Sequence, residues 1–164
     1  MRALLPLLAS LAVAGCGLHP LYAGGSGSPA AVGFRSIEVG PIPQRSGWLT
    51  RNALVDRLGG EHSAGAFRLE VELDDNIIGL GIRGDSATTR ERRTLRARYR
   101  LIERASGAVV LDATAGSDAG IDVVSSEYAT VAAEQTAAER LSQIVADQIV
   151  ARIARYLTSA AARS

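Results

Sequence analysis

Arg90, Arg92, Arg96, Arg98 and Arg100 recur at even spacing through one run of the chain, with Leu95, Ala97, Tyr99 and Leu101 filling positions between them. On an extended strand this spacing sends the guanidinium groups to one face and the apolar side chains to the other. A guanidinium fork grips carboxylates and phosphates bidentately, so such a row can serve salt bridges or an anionic ligand. Upstream, Arg68, Glu70, Glu72 and Asp74 share the polar face of a second alternating run, whose apolar positions are Phe67, Leu69, Val71 and Leu73. A hairpin turning near Asp85 sets Asp74 opposite Arg96, Glu72 opposite Arg98 and Glu70 opposite Arg100, which is an ion-pair ladder in solvent. The same register sets Arg90 and Arg92 against Leu80 and Ile78, where the facing strand offers no acid, with Arg83 and Arg93 close by. The expectation is an unpaired cationic tip with Ile78, Leu80 and Ile82 as apolar neighbours, suited to an anionic amphiphile. The plain alternative is a solvated loop.

Other chemistry finds little purchase. His19 and His62 stand far from any nucleophile or metal-ligand partner. Asp74-Asp75-Asn76 lacks the alternating ligands and glycine of a calcium loop, and Asp112, Asp118 and Asp122 are spread along a strand and its exit. Gly79-Leu80-Gly81-Ile82-Arg83-Gly84 spells a dinucleotide fingerprint, but an alternating strand precedes it and another strand follows. The fingerprint needs a buried strand before it and a helix after it, so these glycines read as a hairpin tip. Arg83-Gly84-Asp85 is a chance tripeptide. The expectation is a protein that is not an enzyme and holds neither cofactor nor metal.

The single cysteine, Cys16, follows Met1-Arg2, an apolar stretch from Ala3 to Ala14, and Gly15. This is the layout of a secretory signal peptide, too short to span a bilayer. Val13-Ala14-Gly15-Cys16 resembles the lipobox of bacterial lipoproteins, in which the cysteine thiol is alkylated by a diacylglyceryl group and becomes the first residue. The only attached group expected is therefore covalent lipid on Cys16. Export makes nucleic acid an improbable partner, and no aromatic platform interleaves with the arginines. All 18 cationic residues are arginine; cleavage before Cys16 removes Arg2 and leaves 17 cations against 17 acids in 149 residues. That length supports one cored domain, and its balanced charge points to no partner by itself.

The elements that position these residues follow from periodicity. Residues 1–15 are the signal peptide, 16–33 a Gly- and Ser-rich tether, and 34–164 one domain. Phe34 to Val39 reads as a strand ended by Gly40-Pro41. Ser46 or Gly47 can cap a helix from Trp48 to Leu58, stopped by Gly59-Gly60, with Trp48 expected to bury its ring. Three strands follow as an antiparallel meander, the second and third joined through Ala105-Ser106-Gly107 and the third spanning Val109 to Ala113. A long helix from Ser125 or Ser126 to about Thr158 carries Leu141, Ile144, Val145, Ile149, Ile153, Tyr156 and Leu157 as an apolar stripe. The fold expected is an α+β two-layer sandwich in the order β-α-β-β-β-α, a mainly antiparallel four-stranded sheet packed by one short and one long helix.

Cys16-Gly17-Leu18-His19-Pro20-Leu21-Tyr22, this element order, and the stretch Tyr128-Ala129-Thr130, Ala133-Glu134-Gln135, Leu141, Ile144, Ile149 together resemble the LptE (RlpB) family of lipopolysaccharide-assembly lipoproteins. The resemblance implies a protein lipid-anchored at the periplasmic face of the outer membrane. There it would plug and help assemble an LptD-type β-barrel and contact lipopolysaccharide. Gly17 after the cysteine, rather than Asp, is similar to lipoproteins released to the outer membrane. Arg83, Arg90, Arg92 and Arg93 are then the candidate contacts to lipopolysaccharide or the barrel. The other function the residues allow is a lipid-anchored periplasmic module that binds or activates another envelope enzyme.

Overall fold

The computed structural model describes residues 29–61, 63, 65–82 and 88–163. Cys16, the signal peptide, most of the tether, His19, His62 and Arg83 lie outside the described residues. The elements are α1 (Pro29–Phe34), β1 (Ile37–Val39), α2 (Gln44–Leu58), β2 (Phe67–Ile82), β3 (Thr88–Glu103), β4 (Val109–Asp122) and α3 (Glu127–Ala161). The sheet order is β1-β2-β3-β4. β1 pairs parallel to β2 through the α2 crossover, while β2, β3 and β4 form the expected antiparallel meander. The fold is the α+β sandwich expected, with one parallel pair at its edge.

Three boundaries differ from the sequence reading. Phe34 closes a helix rather than opening a strand: Pro29 suits a first helical turn, and Ser36 donates from both its amide and its hydroxyl to the Gly33 carbonyl (3.0 and 2.6 Å). α2 begins at Gln44, one turn earlier than expected, so Ser46 lies buried inside the helix and accepts at its carbonyl from the Thr50 hydroxyl (2.8 Å). No side chain caps its start, but Gly59 ends it in the left-handed region at φ 90°, as the glycine pair suggests. β4 runs nine residues beyond Ala113, through Gly116, Ser117 and Gly120, which are poor strand formers on their own. Pairing with β3 from Leu111 to Asp122 overrides that preference.

One sheet face is covered. Leu69, Val71, Leu95, Ala97, Tyr99 and Leu101 pack beneath Leu54 and Leu58 of α2 and beneath Leu141, Val145, Ile149, Ile153 and Leu157 of α3. Trp48 stands apart, 61 % exposed, contrary to its expected burial. The three-four spacing of the buried positions in α2 turns Ser46, Ala53 and Leu54 inward and leaves Trp48 on the far side. Ser126 caps α3 by accepting from the Ala129 amide (3.4 Å). The 35 residues of α3 span about 52 Å. Its buried stripe starts only at Ala137, so the first turns extend past the core as its length suggests. Near its middle, Gln148 reaches the free edge of β4: the Gly116 amide donates to its Oε1 (3.0 Å), and its Nε2 donates to the Gly116 carbonyl (3.3 Å). No helix among the described residues is long and apolar enough to cross a membrane.

Candidate functional site

The register of the β2–β3 hairpin is the one the spacing predicts: Glu70 faces Arg100, Glu72 faces Arg98, Asp74 faces Arg96, Ile78 faces Arg92 and Leu80 faces Arg90. Because side chains alternate, the even-numbered positions of β2, β3 and β4 share the uncovered face of the sheet. The row of guanidinium groups on β3 therefore lies between acids on both sides, Glu70, Glu72 and Asp74 on β2 and Asp112, Asp118 and Asp122 on β4.

The third strand changes who pairs with whom. Arg100 keeps a carboxylate of β2, Glu70 at 3.2 Å. Arg98 turns instead to Asp112 (3.0 Å) and Arg96 to Asp118 (3.3 Å). Hydrogen bonding from Arg98 holds the Asp112 carboxyl below the ordinary carboxylate range. The Thr94 hydroxyl, donating at 2.6 Å, does the same for Asp118, helped by Arg96 and the field of Arg92. Arg96 can lie flat because position 116 is glycine: a Cβ there would come within 2.5 Å of Arg96 Cδ. Gly116, Thr114 and the flanking Glu72, Asp74, Arg96 and Arg98 line an open depression of about 650 Å³ on this face.

At the tip the cationic cluster is not unpaired as the hairpin alone implies. Arg90 meets Asp122 of β4 at 3.1 Å, with both side chains exposed. Arg93 is an odd-numbered residue and lies on the helix-covered side. Its guanidinium donates to both oxygens of Asp75 (2.8 and 2.6 Å) and to the Glu134 carbonyl of α3 (3.0 Å). That pair is largely buried, with 16 % and 11 % of the side chains exposed, and it ties β2, β3 and α3 together. Arg92 is the tip arginine without a carboxylate pair among the described residues; it stands on the open face between Ile78, 44 % exposed, and Gly120. The missed partners come from β4, whose acids read as a loose exit because glycines separate them. Among the described residues no three metal-ligating side chains gather.

The sequence profile of the lipopolysaccharide-assembly family LptE matches residues 34–153. The chain belongs to the LptE family. A lipoprotein of Caulobacter crescentus CB15 has a similar structure, with TM-score 0.65 and 27 % identity over 80 % of this chain and 97 % of that one. An uncharacterized lipoprotein B of Nitrosomonas europaea shares the fold at TM-score 0.58 and 11 % identity, covering 74 % and 83 % of the two chains. Rare lipoprotein B of Shewanella oneidensis does so at TM-score 0.50 and 11 % identity, covering 78 % and 96 %. No curated protein sequence matches the chain. Membership makes this a lipopolysaccharide-assembly lipoprotein of the envelope, in a family that assembles rather than catalyses.

Proposed function

We propose that this LptE-family chain is acylated on Cys16, anchored at the periplasmic face of the outer membrane, and seated as a plug in the lumen of an LptD-type β-barrel, where its hairpin tip meets lipopolysaccharide. The observation that carries the reading is the uncovered sheet face. It is wide and polar, with its arginine row offset by acids on both neighbouring strands. Such a surface suits a barrel interior, which is polar and partly hydrated, and would suit neither lipid nor a dry protein core. Two or more acyl chains on Cys16 make the anchor stable. Arg92, with Arg90 and Arg83, supplies guanidinium forks toward phosphate, and Ile78 and Leu80 supply apolar contact. Arg93 contributes by holding the tip to α3.

Photo-crosslinking residues placed at Arg92 and Arg98 in the full-length protein test the plug. The expected outcome is capture of the barrel from both positions. Capture of another envelope protein and never the barrel would replace the plug with a lipid-anchored module acting on an envelope enzyme. For the tip, Arg90→Ala/Arg92→Ala is expected to weaken lipopolysaccharide binding several-fold without unfolding the domain, and unchanged binding would remove the tip from the site. Labelled palmitate entering the wild type but not Cys16→Ala checks the anchor.

A further inference from the structure

A second cavity, of about 600 Å³, opens beside the β4 edge under the later half of α3, lined by Tyr99, Ala113, Thr114, Gln148, Ala151, Arg152 and Arg155. Ala113 on the strand and Ala151 on the helix leave the space. Gln148 closes one wall with its amide committed to Gly116. Arg152 and Arg155, three residues apart, share this side of α3. No acid stands three or four residues from either along the helix. None of the ion pairs among the described residues involves them, whereas those of the sheet face hold most of the β3 arginines. Two guanidinium groups thus flank a concave site with no carboxylate lining it.

Tyr99 lies on the inner face of β3 and is 2 % exposed. Burial raises the pKa of its phenol, and the nearby Arg152 and Arg155 counter only part of that shift. At neutral pH it is therefore a neutral hydroxyl facing two cations, able to donate to an anion between them.

We propose that this cavity is a binding site for a phosphate-class anion, held between Arg152 and Arg155 with Tyr99 as a neutral donor. The chemistry fits because guanidinium forks pair with phosphate oxygens and the lining offers donors without competing carboxylates. The site is separate from the hairpin tip, since about 27 Å of helix divides Arg152 from the Glu134 carbonyl that holds Arg93. It lies close to α1, which packs Gly33 against Leu157, two residues beyond Arg155, with a Cβ on Gly33 only 2.7 Å from Leu157 Cδ1. A phosphate-bearing lipid headgroup and free phosphate share this chemistry.

The test titrates the full-length protein, isotopically labelled and in detergent, with inorganic phosphate while following backbone amide shifts, and repeats the spectra with the acyl anchor seated in phosphatidylglycerol or phosphatidylcholine nanodiscs. Saturable phosphate shifts at residues 113–116 and 148–156, distinct from any at the hairpin tip, are expected. The exposed Arg152→Gln/Arg155→Gln pair should weaken them roughly tenfold or more, and Arg90→Ala/Arg92→Ala should leave them unchanged. Shifts of the same segments that need phosphatidylglycerol and are lost in Arg152→Gln/Arg155→Gln assign the anion to a lipid. Phosphate shifts with no difference between the two nanodisc lipids assign it to a free ion. Absence of both, or equal loss in the tip variant, overturns the site.

Discussion

The arginines of β3 and those of α3 answer differently to the same chemistry. On β3 each guanidinium lies between two strands, so even a modest supply of acids reaches it from one side or the other, and Arg90, Arg93, Arg96, Arg98 and Arg100 all find carboxylates. On α3 a surface arginine meets partners one turn away or on a neighbouring element, and Arg152 and Arg155 form no ion pair among the described residues. Cationic character therefore collects where carboxylates are missing rather than where arginines are densest.

Within β3 the face decides a pair's energy. Arg93→Ala is expected to cost about 2–3 kcal/mol in urea unfolding, because it leaves Asp75 largely buried without its cation. Asp75→Ala should cost a similar amount, and the two changes together less than their sum. A loss from Arg93→Ala no larger than that from Arg98→Ala would erase the contrast between the two faces. Gly116→Ala should follow at about 1 kcal/mol, since its methyl group must push Arg96 away and loosen the Asp118 pair.

Acid exposes the same ladder. The carboxyls of Asp112 and Asp118 are held low, chiefly by Arg98 and Thr94, and away from the sheet Asp147 of α3 is held low by hydrogen bonds from Arg57 of α2. Their contribution is complete above the ordinary carboxylate range near 4 and is lost as pH falls through the lowered folded-state values. Thermal midpoints should thus decline below about pH 4, and added salt should shrink the decline because these groups are exposed. A flat profile would show that the ladder adds nothing to stability. The smallest effect is expected for Arg92→Ala, which should leave the urea midpoint unchanged while Arg98→Ala lowers it slightly at low salt only.

Much of the sheet was legible because strict alternation from Phe67 and through Leu95 to Leu101 fixes both face and register. Gly59 stopping α2 and Gly107 turning the β3–β4 hairpin at φ 69° were equally readable. What escaped depended on a third strand. Gly116 and Gly120 hide the strand character of β4, and with it the acids that claim Arg90, Arg96 and Arg98. Trp48 misled because aromatic size argues for burial, while the start of α2, set by Ile42-Pro43 and the close fit of Gly47 against the Ile42 carbonyl, rotates it outward. The cavity between β4 and α3 was invisible because Tyr99, Thr114 and Arg152 are far apart in the chain.

The clasp between Gln148 and Gly116 bears on how the protein fares before it reaches a partner. An unpaired strand edge is a template on which a second chain can crystallise into a growing sheet. Here one carboxamide occupies both the donor and the acceptor of the central edge residue, as the peptide group of an incoming strand would. An arriving strand must break that engagement in the middle of its own footprint, so α3 doubles as a guard against fibre-like stacking.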